Sequence, residues 1–168
     1  GKCRGLHEAR ALMATTPSER LAELGIELPQ VAAPVAAYVP AAKVGNQVWT
    51  SGQLPFIDGN LPATGKVGAE VSADDAYNYA RAAVLNALAA VDSVVGLDNL
   101  TRVVKIVGYV ASAPDFTGQP GVVNGASELI GDIFGDAGAH VRSAVGVAVL
   151  PLDAPVEVEL IVEVADAS

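Results

Sequence analysis

Apolar and polar positions alternate with a period of two along VEVELIVEV, residues 156–164. Val156, Val158, Leu160, Val162 and Val164 fall on one face of a strand; Glu157, Glu159 and Glu163, with Ile161 among them, fall on the other. The run VRSAVGVAVL, residues 141–150, is a second strand with two unlike faces. Arg142, Ala144, Gly146, Ala148 and Leu150 share one side, and Val141, Ser143, Val145, Val147 and Val149 the other. TRVVKIVGYVAS, residues 101–112, is too uniformly apolar for a half-exposed strand and reads as a buried one. Residues 35–55 read as two strands around a Gly45-Asn46 turn, and Asp58-Gly59 suits a further hairpin connection.

Three segments change to helical spacing. From Ser72 to Val95, the residues Ala76, Ala80, Ala83, Leu88 and Val91 recur on one side. Ser72 caps this helix, Asp75 takes the capping-box position and Gly96 ends it. TPSERLAELG predicts a short helix, with Thr16 as N-cap, Pro17 at the first helical position, Glu19 closing a capping box and Gly25 as the stop. GVVNGASELIGDIF, residues 121–134, is weaker, because each of its three glycines costs about 1 kcal/mol relative to alanine. Gly135 ends it.

Strands alternating with two long helices predict one α+β domain, a sheet covered on one face by helices. A length of 168 residues suits one such domain. The segment 1–12, GKCRGLHEARAL, precedes Met13 and reads as a leader or non-native extension, or else as a short helix; the domain is expected over 13–168.

Composition narrows the chemistry. The chain is 51% hydrophobic and 17% charged, which fits a packed domain with some apolar surface left for other subunits. A net charge of −9, with ten Lys and Arg in all, disfavours nucleic acid and anionic membrane surfaces as partners. No apolar run reaches membrane-spanning length. One cysteine, Cys3, and two histidines, His7 and His140, rule out an internal disulfide and disfavour a zinc site or a Cys/His nucleophile pair. The lack of disulfides points to the cytoplasm. TGKV resembles the end of a P-loop, but a required glycine is missing upstream and Val67 stands at the Ser/Thr position, so it reads as a loop.

Arg142 is the residue that needs an explanation. A guanidinium stays charged at biological pH, yet this one heads an apolar strand beside small residues. Two readings fit: a salt bridge to a glutamate at the sheet edge, or a pocket in which the planar fork grips a carboxylate from outside the chain. The glutamates of 156–164 read equally as a solvated face.

RSAVGVAVLP followed by PVEVE resembles the C-terminal signature of the RidA (YjgF) family of reactive enamine/imine deaminases, earlier labelled endoribonuclease L-PSP. AAYVPAAKVGNQVWTSGQLP is similar to that family's first two strands, and VVNGASELIGDIFG to its second helix. The resemblance covers about residues 30–165. It implies a chorismate-mutase-like α+β fold, a mixed sheet with two core helices on one face, assembled as a homotrimer with sites between subunits. Carried over by position, Arg142 would bind a substrate carboxylate and Glu157 would place the attacking water, with Tyr38 beside it in a catalytic role. Ser51, Gly52 and Asn124 would line the pocket. The implied reaction is hydrolysis of 2-imino or 2-enamino acids to 2-oxo acids and ammonia, with no metal or organic cofactor. The alternative is a trimer that binds a small carboxylate without catalysis.

The chain departs from the family where AAYVP replaces the usual GPYSQ, where Ala144 replaces a common cysteine, and in longer segments around GQPG and GDAGAH. These mark a divergent subgroup. If strands 141–150 and 156–164 formed a simple hairpin about PLDAP, Arg142 would lie on the order of 23 Å from Glu157. An intersubunit site, or strands that are not neighbours, removes that difficulty.

Overall fold

The strands that the pattern isolates assemble into a single mixed sheet, seen in a computed structural model that describes residues 15–31 and 37–166. The leader and the start of the 35–55 segment lie outside the described residues. The strands are β1 (Ala41–Val44), β2 (Gln47–Thr50), β3 (Leu100–Ala111), β4 (Val141–Val147) and β5 (Val156–Val164). The helices are α1 (Pro17–Glu23), α2 (Ala73–Val95) and α3 (Gln119–Phe134). The sheet order is β1-β2-β5-β3-β4. β5 runs antiparallel to both β2 and β3, whereas β3 and β4 are parallel. Parallel neighbours cannot be joined by a tight turn, so α3 carries the crossover between them. PLDAP therefore does not close a hairpin, and β3 lies between β4 and β5.

The caps form as predicted. Thr16 Oγ1 accepts from the Glu19 amide, and Ser72 Oγ from the Asp75 amide. Gly96 and Gly135 terminate α2 and α3 with positive φ. α3 starts at Gln119, two residues before the expected 121, with Pro120 in its first turn where a missing amide costs nothing. β4 stops at Val147 instead of Leu150, because its ladder partner β3 ends opposite at Ala111. Asp58-Gly59 does turn with both φ positive, but it is closed by a single bridge, Ile57 to Asn60, and not by a hairpin.

One face of the sheet is sealed by α2 and α3. Val156, Val158, Leu160, Val162 and Val164 are buried there with Val103, Ile106 and Val110 of β3. Alanines on α2 bring that helix close, and Gly125 of α3 sits against its backbone. A Cβ at Gly125 would lie 1.9 Å from the Tyr77 carbonyl oxygen. Only separation of the helices would relieve that clash. Gly125→Ala gains about 1 kcal/mol of helix propensity but costs roughly 3 kcal/mol of overpacking. A net loss of about 2 kcal/mol is expected, seen as a thermal midpoint lower by roughly 4–8 °C.

Among the described residues, no helix covers the other face. Glu157, Glu159, Ile161 and Glu163 lie on it half-buried, with exposed Trp49, Val141 and Val145. No described helix is long and apolar enough to cross a membrane.

Candidate functional site

The first group of predicted residues gathers at the edge of the sheet, under the N-terminal half of α3. Arg142 pairs with Ile106 in the parallel ladder, so its side chain points to the helix-covered side. There Nη1 donates to Asn124 Oδ1 at 2.8 Å and to Ser127 Oγ at 3.1 Å, and Nη2 donates to the Pro120 carbonyl at 3.1 Å. Asn124 and Ser127 are three apart on α3, which puts both on one helix face. Every acceptor is neutral. Among the described residues the ion pairs are Arg20–Glu23 and Lys66–Asp153, and neither involves Arg142. The edge salt bridge, the blander of the two sequence readings, is thus not formed. Three of the five N–H donors are used. The half-buried cation keeps donors and an unbalanced charge.

The second group lies on the open face. β5 and the segment after β2 fall out of step: Trp49 pairs with Ile161, and Gln53 bridges to Val158, so four steps on one side match three on the other. The extra residue makes a bulge at Ser51-Gly52. Thr50 Oγ1 accepts the Leu160 amide where the ladder is interrupted. The bulge brings Gly52 onto the Glu157 side chain, so that a Cβ there would lie 2.7 Å from the carboxylate carbon. Only glycine leaves that carboxylate in place. The loop beyond is fixed by Asn86 of α2, whose buried amide donates to the Leu54 and Phe56 carbonyls. Ser51 Oγ donates to the Val39 carbonyl at 2.6 Å, tying the bulge to the residue after Tyr38. Tyr38 itself is 46% exposed.

Burial, together with the nearby Glu159 carboxylate, raises the pKa of Glu157. Tyr109, paired opposite Glu157, donates its hydroxyl to Glu159 Oε1 at 3.1 Å. Burial and that hydrogen bond raise the phenol's own pKa. A carboxyl group whose pKa is raised by its surroundings suits general acid–base work.

Within one chain the two groups stay apart. Ile106, the partner of Arg142, pairs on its other side with Leu160, three residues from Glu157. The separation is about 10 Å along the strands and about 10 Å across them, from opposite faces. A pocket of about 390 Å³ between Asp74, Tyr77, Asn78, Phe116 and Gly121 includes neither group.

Sequence reasoning missed Ser127, His140 and the Pro120 carbonyl around Arg142, and Tyr109 and Glu159 beside Glu157. Two signals were available: Ser127 stands three residues after Asn124, and His140 precedes Arg142 by two, the spacing of one strand face.

Residues 18–164 match the family described as YjgF/chorismate mutase-like, putative endoribonuclease. Protein TCP17 of Trypanosoma cruzi is 45% identical over 145 residues, covering 85% of this chain and 91% of that protein. A crystal structure of a protein of unknown function from Agrobacterium tumefaciens is 42% identical with a TM-score of 0.82, covering 89% of this chain and 92% of that one. E. coli TdcF, solved with bound serine, is 27% identical with a TM-score of 0.61, covering 81% and 94%. The matched span runs from α1 through β5 and takes in both residue groups, and on that breadth the chain belongs to the YjgF/chorismate mutase-like family.

Proposed function

We propose that this chain is a hydrolase that deaminates 2-imino acids in a pocket completed by a second subunit. The observation that carries the reading is Arg142, a half-buried guanidinium held, among the described residues, by three neutral acceptors and no carboxylate. Its charge calls for an external anion, and a carboxylate matches its fork. Serine bound to the related TdcF is also a small carboxylate. Because Arg142 and Glu157 lie on opposite sides of the sheet, the open face of one subunit would have to meet the β4 edge of another. Exposed Val141 and Val145 on β4 fit such a contact, and a homotrimer is the assembly expected of it.

In this reading the substrate carboxylate docks on Arg142, with Asn124 fixing the guanidinium. Glu157 holds a water and takes its proton as the oxygen bonds to the imine carbon. Glu157 passes that proton to the imine nitrogen, giving a carbinolamine, then moves the hydroxyl proton to the same nitrogen, and the C–N bond breaks as the C=O bond forms and ammonia leaves. Positioning and placed charge supply the rate enhancement. Ser51 orients the loop that carries Tyr38, and Gly52 leaves room for Glu157. Endoribonuclease activity suits this chain poorly, since a net charge of −9 opposes phosphate binding.

The test is the appearance of 2-oxo acid from imines made in situ by an amino-acid oxidase, against the spontaneous rate. Acceleration by the wild-type chain is expected, and none would overturn the catalytic reading. Gly52→Ala is a finer probe. Its methyl would meet the flexible end of a side chain, so the fold should tolerate it while the carboxylate is displaced. A fall in kcat with the melting temperature little changed is expected.

A second reading has its own observation. The Arg142 cradle is complete within one chain, and Glu157 plays no part in it. Carboxylate binding without hydrolysis would leave binding of a 2-oxo acid dependent on Arg142 but indifferent to Glu157.

A further inference from the structure

His140 has no place in the reaction described above, yet it closes a directed chain of hydrogen bonds behind Arg142. Its Nδ1 lies 2.7 Å from the Gly138 carbonyl, which can only accept. Nδ1 therefore carries a proton, and in the neutral ring Nε2 is a bare acceptor. Ser127 Oγ lies 2.9 Å from Nε2. The Ser127 hydroxyl therefore donates to the ring, and its oxygen lone pairs are turned toward Arg142 Nη1, 3.1 Å away. The order is Arg142 N–H to Ser127 oxygen, Ser127 O–H to His140 Nε2, and His140 Nδ1–H to Gly138 oxygen.

We infer that Ser127 and His140 are positioning residues that hold the Arg142 guanidinium with its remaining donors turned toward a carboxylate ligand. The inference rests on the carboxylate-binding reading of Arg142. Gly138 is buried, and its carbonyl anchors the far end of the chain on a fixed point of the backbone. A lone serine hydroxyl could rotate to donate to any nearby acceptor. With Nε2 as its acceptor it is locked as the acceptor of an arginine N–H. Asn124 Oδ1 and the Pro120 carbonyl hold two further donors, so the ring and the hydroxyl complete a cradle that leaves little rotational freedom.

The experiment uses pyruvate as the carboxylate probe and pyruvamide as its uncharged analogue, measured by calorimetry on the full chain. Ser127→Ala and His140→Phe should each weaken pyruvate binding roughly tenfold, the loss expected when a hydrogen bond to a charged group is removed. Pyruvamide binding should be unchanged, whereas general damage to the pocket would weaken both. His140→Gln, whose amide oxygen reaches toward the Nε2 position, should recover most of the affinity. In an Arg142→Ala background, Ser127→Ala should add nothing, since the residues act in series. If pyruvate binds the wild type through Arg142 but Ser127→Ala and His140→Phe leave it unchanged, the positioning role is overturned. If the wild type binds no pyruvate, the underlying reading of Arg142 fails instead.

Discussion

Arg142→Ala is expected to weaken carboxylate binding by roughly 2–5 kcal/mol, or about 30- to 4000-fold in Kd, while the chain stays folded. The loss is large because the cation sits half-buried among neutral acceptors, with no ion-pair partner among the described residues to compete with a ligand. The effect on stability is small for the same reason. No ion pair is broken, and water can reach the Asn124, Ser127 and Pro120 oxygens that lose their donor. Arg142→Lys should recover little. An ammonium is a point charge and cannot serve both the cradle and a bidentate ligand. Calorimetry with pyruvate, beside a thermal melt, measures both quantities. Unchanged pyruvate affinity in a folded Arg142→Ala protein would leave the carboxylate reading without support.

Glu157→Gln is expected to lower kcat by about 10²- to 10³-fold, within the usual contribution of a general acid–base group. KM should move less, because the carboxylate anchor is elsewhere. The pH profile should change with it. The pKa of Glu157 is raised by burial and by Glu159, so activity that needs the ionised form rises with pH through a value above the ordinary carboxylate range. That limb should disappear in the variant.

Stability runs the opposite way. Between the ordinary and the raised pKa the folded chain holds a proton that the unfolded chain has released, so stability falls as pH rises through that window. Glutamine carries no charge to desolvate. Glu157→Gln should therefore match the wild type below the window and exceed it in stability above. Lower activity with higher stability above that window would mark a group placed for chemistry at a cost to the fold. A variant that keeps full activity would remove Glu157 from the mechanism.

Much of the architecture was legible along the chain because it rests on local chemistry. The caps at Thr16 and Ser72, the stops at Gly96 and Gly135 and the two faces of β5 are each set by a few neighbouring residues. Element ends that depend on a partner were not. β4 is cut at Val147 by the end of β3, which nothing in VRSAVGVAVL announces. The site divides in the same manner. The resemblance singled out Arg142 and Asn124, and the geometry puts them in contact. Ser127 and His140 were not linked to Arg142, since a serine and a histidine at these spacings are commonplace until an arginine is seen to lie against them.

The sequence by itself determined which residues face the core, where helices begin and end, and that a permanent cation stands beside small residues on β4. Those properties follow from side-chain period and from hydrogen bonds a few residues long. Tertiary structure alone decided that β3 separates β4 from β5, and that Glu157 and Arg142 belong to opposite faces. The reason is the α3 crossover, which makes β4 parallel to β3 and leaves it at the edge. It also decided what surrounds the cation. An arginine's partners are fixed by whatever elements pack against its strand, and here α3 supplies neutral oxygens where the strand pattern by itself favoured a glutamate.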